Sequence, residues 1–307
     1  MVSNAGENAM FQRVLIPLDG SELAEQVLTY IGQFASPAET QVVLIRVLET
    51  MRYAPSRYGF ITMDLFDAVR QRYAAYLQEI RVKLQAERYQ VATVVAEGDA
   101  ATEILKAAKN RRVDVIAMST RGHSGLKRWA LGSVAEHVLQ GATVPVLLVR
   151  EQDGNTHDTI QRILVPLDGS TLAEQALPNA QWLAQTTGAK ILLLQVLDPA
   201  EIEFYDSQQP LESESGSSKE QGIALAQDYL QSVCHRLQAA GLPCDYKVLS
   251  GTPHQVICQT VKRRHIDMVV MSTHGRSGLR RWLFGGVANH VIRGVSCPVL
   301  VVRSLPI

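Results

Sequence analysis

Cysteine is scarce in this sequence and poorly spaced for chemistry. The four cysteines, Cys234, Cys244, Cys258 and Cys297, all fall in the second half and include no C-x-x-C pair. That pattern excludes a disulfide framework and a cysteine-based zinc site, and leaves buried free thiols as the expected state. An excess of either charge is missing too. Thirty Lys+Arg face thirty Asp+Glu, so no whole-molecule field draws the chain toward nucleic acid or an anionic membrane. A phosphate ligand would have to be held by local groups. No apolar run reaches the ~18 residues of a membrane span, and the first residues lack a basic and then apolar leader pattern. A cytoplasmic protein with no membrane or nucleic-acid partner is expected. Aromatics are only 6% of the chain, but 46% of it is hydrophobic, ample for packed layers, and 307 residues suffice for about two domains.

What is present is one unit written twice. Arg13-Val-Leu-Ile-Pro-Leu-Asp-Gly-Ser21 returns as Arg162-Ile-Leu-Val-Pro-Leu-Asp-Gly-Ser170, and each copy continues into Leu-Ala-Glu-Gln. Met118-Ser-Thr-Arg-Gly-His-Ser-Gly-Leu-Lys-Arg-Trp129 returns as Met271-Ser-Thr-His-Gly-Arg-Ser-Gly-Leu-Arg-Arg-Trp282. Both copies close on a short apolar strand, 145 to 150 and 298 to 303. A period this long is a duplicated domain rather than a solenoid, and it divides the chain into 1–150 and 160–307. The polar segment from Glu151 to Thr159 reads as the linker.

Short β-branched runs alternate with helical stretches. In the first copy strands are expected at 13–18, 41–48, 90–96, 113–119 and 145–150, and helices at 21–35, 64–88, 101–111 and 133–140. The second copy repeats the order. Runs such as Val-Val-Leu-Ile-Arg-Val-Leu are apolar on both faces, as parallel strands between helix layers must be. The fold class is therefore α/β: two repeated, doubly wound, five-stranded parallel-sheet domains of Rossmann-like type.

Such sheets bind ligands beyond the carboxyl ends of their strands. Two loops fall there in each copy. The first carries Asp19-Gly20-Ser21, where Ser21 suits a helix N-cap and Asp19 either faces the crevice or only shapes the turn. The second runs from Ser119 through Gly122 to Gly132 and Ser133 at a helix start, where small residues and free N–H groups suit a phosphate. Ser133 and Glu136 also have capping-box spacing, a competing use of the same hydroxyl. Lys127-Arg128 and Arg280-Arg281 could neutralise phosphate or form a solvated face. His137 and His290 recur without further ligands at metal spacing, so no metal site is expected. Walker A and the G-x-S-x-G nucleophile frame are absent.

Together, Val-Pro-Leu-Asp-Gly-Ser, Met-Ser-Thr-His-Gly-Arg-Ser-Gly-Leu and Cys-Pro-Val-Leu-Val-Val resemble the universal stress protein family over nearly all of both copies, as a tandem member. The resemblance implies an adenine nucleotide alpha hydrolase-like fold and a stress-response binding or regulatory module that takes ATP or AMP, with or without Mg²⁺. It implies that Pro17, Asp19 and the backbone at Val47 hold adenine and ribose, and that Ser119, Gly122, Gly132, Ser133 and Val134 hold phosphates. The matching positions of the second copy are Asp168, Val196, Ser272, Gly275, Gly285 and Gly286. The family's nucleotide-binding pattern is Gly, two residues, Gly, nine residues, Gly, then Ser or Thr. Here Ser119 and Ser272 replace the first Gly, and Gly286 replaces the hydroxyl residue, so the second copy is expected to bind more weakly or not at all. No catalytic residue is assigned; the alternatives are a slow ATP hydrolase or a scaffold with decayed sites. In the family the last strand forms the dimer contact. An intramolecular pseudo-dimer, Val146 and Leu148 against Val299 and Val301, is therefore expected, with a homodimer of whole chains and unidentified protein partners left open.

Overall fold

The computed structural model describes residues 11–49, 63–120, 131–150, 159–199, 218–274 and 286–304. The chain divides into two compact units, Met1–Glu151 and Gln152–Ile307. Unit one runs β1 (Arg13–Pro17), α1 (Glu22–Phe34), β2 (Gln41–Leu48), α2 (Met63–Ala86), β3 (Gln90–Glu97), α3 (Ala100–Asn110), β4 (Val115–Ser119), α4 (Ser133–Gly141) and β5 (Val146–Val149). All four strand pairings are parallel and give the order β3-β2-β1-β4-β5. Unit two runs β6 (Arg162–Pro166), α5 (Thr171–Glu174), α6 (Leu177–Thr187), β7 (Lys190–Leu197), α7 (Ser218–Ala239), β8 (Cys244–Ser250), α8 (Pro253–Arg264), β9 (Met268–Ser272), α9 (Gly286–Gly294) and β10 (Val299–Val302). Its parallel order is β8-β7-β6-β9-β10, so both units are doubly wound as the alternation of runs predicts.

The strand sequences explain their places. Val14, Leu15 and Ile16 of β1 are wholly buried, and every residue of β4 and β9 is buried, because helices cover both faces of a parallel sheet. The outer strand β3 is only half-buried along most of its length. Helix α1 turns Ala24, Val27 and Ile31 inward at three- and four-residue spacing, which buries one stripe and leaves the rest to solvent. The cysteines are free; three are buried and Cys258 is half-buried. Burial pushes the Cys297 thiol up to about 12, which keeps it protonated and unreactive at neutral pH.

One departure from the copied pattern has a local cause. The helix after β1 is continuous, whereas its counterpart after β6 is broken into α5 and α6. Pro178 has no N–H to give the Glu174 carbonyl, and its ring would crowd that group. The backbone tightens instead: Gln175 and Ala176 donate to Leu172 and Ala173, three residues back, and Ala180 resumes the helical pattern on Ala176.

Candidate functional site

The carboxyl ends of β1, β2 and β4 meet at the place where the order of strands reverses. Pro17 pairs with Ile45, and Leu15 with Ile116, so Asp19, Val47 and Ser119 project from three neighbouring strand ends. Asp19 shapes its own turn: Oδ1 accepts from the Ser21 N–H at 3.0 Å and from the Ser21 hydroxyl at 2.6 Å. Gly20 between them has φ of +85°, where a side chain would be strained. Ser21 then accepts from the Ala24 N–H and caps α1. In unit two Asp168, Ser170 and Ala173 repeat these contacts at 3.0, 2.6 and 3.1 Å. The turn thus holds each carboxylate in a defined orientation at the strand end.

The second loop returns to the sheet at Gly132, whose N–H donates 2.8 Å to the Thr120 carbonyl, while Thr120 itself donates to Val149. This tie corrects the capping-box reading of Ser133 and Glu136. A capping box needs its serine at the non-helical cap position; here Gly132 occupies that position at φ −67° and ψ 149°, and Ser133 is already the first helical residue. No side chain caps α4. Gly132 has no side chain to accept from them, so the N–H groups of Ser133, Val134 and Ala135 open the helix next to the end of β4, and Ser133 is exposed.

Unit two differs at this end. The Ser272 hydroxyl donates 2.6 Å to the His274 carbonyl, and the Thr273 hydroxyl lies 2.9 Å from His274 Nδ1 and 3.1 Å from the Ser304 hydroxyl. Helix α9 starts on Gly286, whose carbonyl is 2.6 Å from His290 Nδ1, so that nitrogen carries the proton and donates. The His290 ring stacks on His254 with centroids 4.5 Å apart. Neither Ser119 nor Ser272 has a positive φ, so serine is accommodated where the family pattern has glycine. Gly122, Gly275 and Gly285, with Lys127, Arg128, Arg280, Arg281 and most of the linker, lie outside the described residues. Val196 is half-buried at the end of β7, corresponding to Val47. Among the described residues no cluster of three His, Cys, Asp or Glu could hold a metal ion, and no helix is long and apolar enough to cross a membrane.

Sequence reasoning missed Arg46. Its guanidinium donates 2.9 Å to the Asp19 carbonyl and lies over the rings of Tyr73, 3.8 Å from the centroid, and Tyr76, 4.7 Å away. Tyr76 passes the connection on by donating to Glu25 of α1 at 2.8 Å. Burial, together with the bond and charge of Glu25, pushes the Tyr76 phenol above its ordinary value, so it remains a donor. The signal was available: Arg46 is the one cation inside an otherwise apolar strand.

The sequence profile of the universal stress protein family matches residues 10–150 and again 159–303. A universal stress protein of Methanocaldococcus jannaschii is 30% identical over 150 residues, 49% of this chain and 86% of that protein. One from Mycolicibacterium smegmatis is 23% identical over 295 residues, covering 94% of this chain and 96% of its own. Among solved structures, a universal stress protein from Archaeoglobus fulgidus superposes with a TM-score of 0.72 at 25% identity, covering 95% of this chain and 98% of that one.

Proposed function

The chain belongs to the universal stress protein family in tandem form, and from that premise we propose that unit one binds an adenine nucleotide, ATP or AMP, beyond the ends of β1, β2 and β4. The observation that carries this reading is the uncapped amino end of α4, held against the end of β4 by the Gly132 to Thr120 bond and flanked by the oriented Asp19. Three N–H groups and the positive end of the helix dipole suit a phosphate chain. The carboxylate of Asp19 suits ribose hydroxyls, and the half-buried backbone at Val47 suits the base. The role that follows is binding and regulation in a stress response rather than turnover.

Unit two is the weaker site in this reading. Gly286 supplies no hydroxyl where unit one has Ser133, a loss of about 0.5 to 1.5 kcal/mol for one neutral hydrogen bond. Calorimetric titration of the full chain with ATP and with AMP is expected to show one dominant site. Gly132→Val tests its location. The backbone there is extended, open to valine, and the branched side chain would stand where phosphate approaches, so binding should be lost with thermal unfolding unchanged. An unaltered affinity in a folded Gly132→Val variant would remove the assignment.

A further inference from the structure

The opposite end of unit two carries a groove of about 620 Å³ that the nucleotide reading does not use. It opens where β6, β7 and β8 begin and where α7 and α8 end, so it lies across the sheet from the Asp168 loop. Arg162, Lys190, Lys247, Arg263 and Arg264 line it, with a single carboxylate, Asp245. Lys190 pairs with Asp245, and Arg162 donates 2.8 Å to the Arg264 carbonyl at the end of α8. Among the described residues Lys247, Arg263 and Arg264 make no ion pair.

Basic residues at a helix end are often there only to offset its dipole, and the size of the effect decides against that explanation. Two helix carboxyl ends contribute about half a negative charge each, and Asp245 one more. Five side-chain cations against these leave about three positive charges uncompensated. The chain as a whole has no net charge, so this excess is local. Its make-up differs between the units: unit one carries Gln41 for Lys190, Val94 for Lys247 and Asn110 for Arg263, keeps Arg13 for Arg162 and Arg111 for Arg264, and has Arg81, Arg112 and Ala92 for Cys234, His265 and Asp245. The floor of the groove includes the buried Cys234, Cys244 and Ile266, whose apolar surface weakens the screening of the charges above it. The volume is that of a small-molecule site.

We propose that this groove binds an oligophosphate group carrying about three negative charges, with Lys247, Arg263 and Arg264 as its contacts. The site is separate from the nucleotide crevice, and two of its contacts, Lys247 and Arg263, have no cationic counterpart in unit one, where Val94 and Asn110 stand. Inorganic tripolyphosphate is the probe, titrated into the full chain at low salt by calorimetry. Lys247→Glu with Arg263→Glu should weaken binding by about tenfold or more, since each change reverses a charge within a few ångströms of the ligand. The milder Lys247→Gln with Arg263→Gln should give an intermediate loss, and raised salt should weaken the wild type. Gly132→Val should leave tripolyphosphate binding intact. A second arm uses phosphatidylcholine vesicles bearing phosphatidylinositol bisphosphate; capture that depends on Lys247 and Arg263 would place the same phosphate chemistry on a lipid headgroup. The proposal fails if tripolyphosphate and vesicles both bind the charge-reversed, folded chain as they bind the wild type, if neither binds the wild type, or if binding is lost in Gly132→Val alone.

Discussion

At the end of β2, Arg46 joins three elements: the Asp19 turn through a carbonyl, α2 through Tyr73 and Tyr76, and α1 through the Tyr76 to Glu25 bond. The second unit keeps part of this chain of contacts, with Tyr229 donating to Glu174 at 3.1 Å and Arg236 at 2.9 Å, but replaces Arg46 by Gln195 and Tyr73 by Ala226. Gln195 is 4% exposed, and its Oε1 is buried with no hydrogen-bond partner among the described residues. These two positions should respond in opposite ways to apolar replacement. Arg46→Ala removes a charge-assisted hydrogen bond and two cation–π contacts and is expected to cost about 2 to 4 kcal/mol in denaturant unfolding. Gln195→Leu removes an unsatisfied acceptor and should be neutral or stabilising by about 1 kcal/mol. A destabilising Gln195→Leu would show that the amide has a partner in solution. The sequence made Asp19 and Asp168 legible because a repeated Asp-Gly-Ser turn has local hydrogen-bonding rules. It left Arg46 unread because that role depends on residues 27 and 30 positions away.

Helix entries show how local chemistry separates two copies of one fold. Helix α3 is capped by Asp99, which accepts from the Thr102 N–H at 2.9 Å and from its hydroxyl at 2.7 Å. The corresponding α8 starts with Thr252 at the cap position and Pro253, and no side chain caps it. The two bonds from Thr102 hold the Asp99 carboxyl below its ordinary value. With the folded-state value depressed, the stabilisation is present above the unfolded value of about 3.9 and is lost as pH falls through the folded one. Asp99→Ala is expected to cost about 0.5 to 2 kcal/mol at pH 7. The cost should shrink on acidification, as read from denaturant midpoints; a cost that persists at low pH would mean packing rather than capping. Capping patterns also mark where sequence reading failed. Ser133 and Glu136 have the right spacing, yet the tie from Gly132 to Thr120 starts the helix one residue too early for a box. That tie is between segments twelve residues apart, and no local rule contains it.

At the scale of the whole molecule, each unit encloses its own core. In unit one the core is built on Leu15, Ile16, Leu44 and Ile116, and in unit two on Ile163, Leu164, Leu193 and Val269, all essentially unexposed. Residues 1–151 produced alone should therefore fold and unfold cooperatively, as followed by circular dichroism. Absence of a cooperative transition would show that unit one needs unit two to fold. Sequence alone determined the duplication, the α/β class, the order of strands and helices and the strand ends that carry Asp19 and Ser119. All of these follow from hydrophobic period and turn chemistry, which act over a few residues and were written twice. Only the tertiary structure decided the cap at Gly132, the clasp of Arg46 on Asp19 and the cationic groove at the far end of unit two. Each depends on backbone geometry or on side chains brought together from distant strands and helices, and Coulomb and hydrogen-bond energies depend on distance in space, which spacing along a chain does not specify.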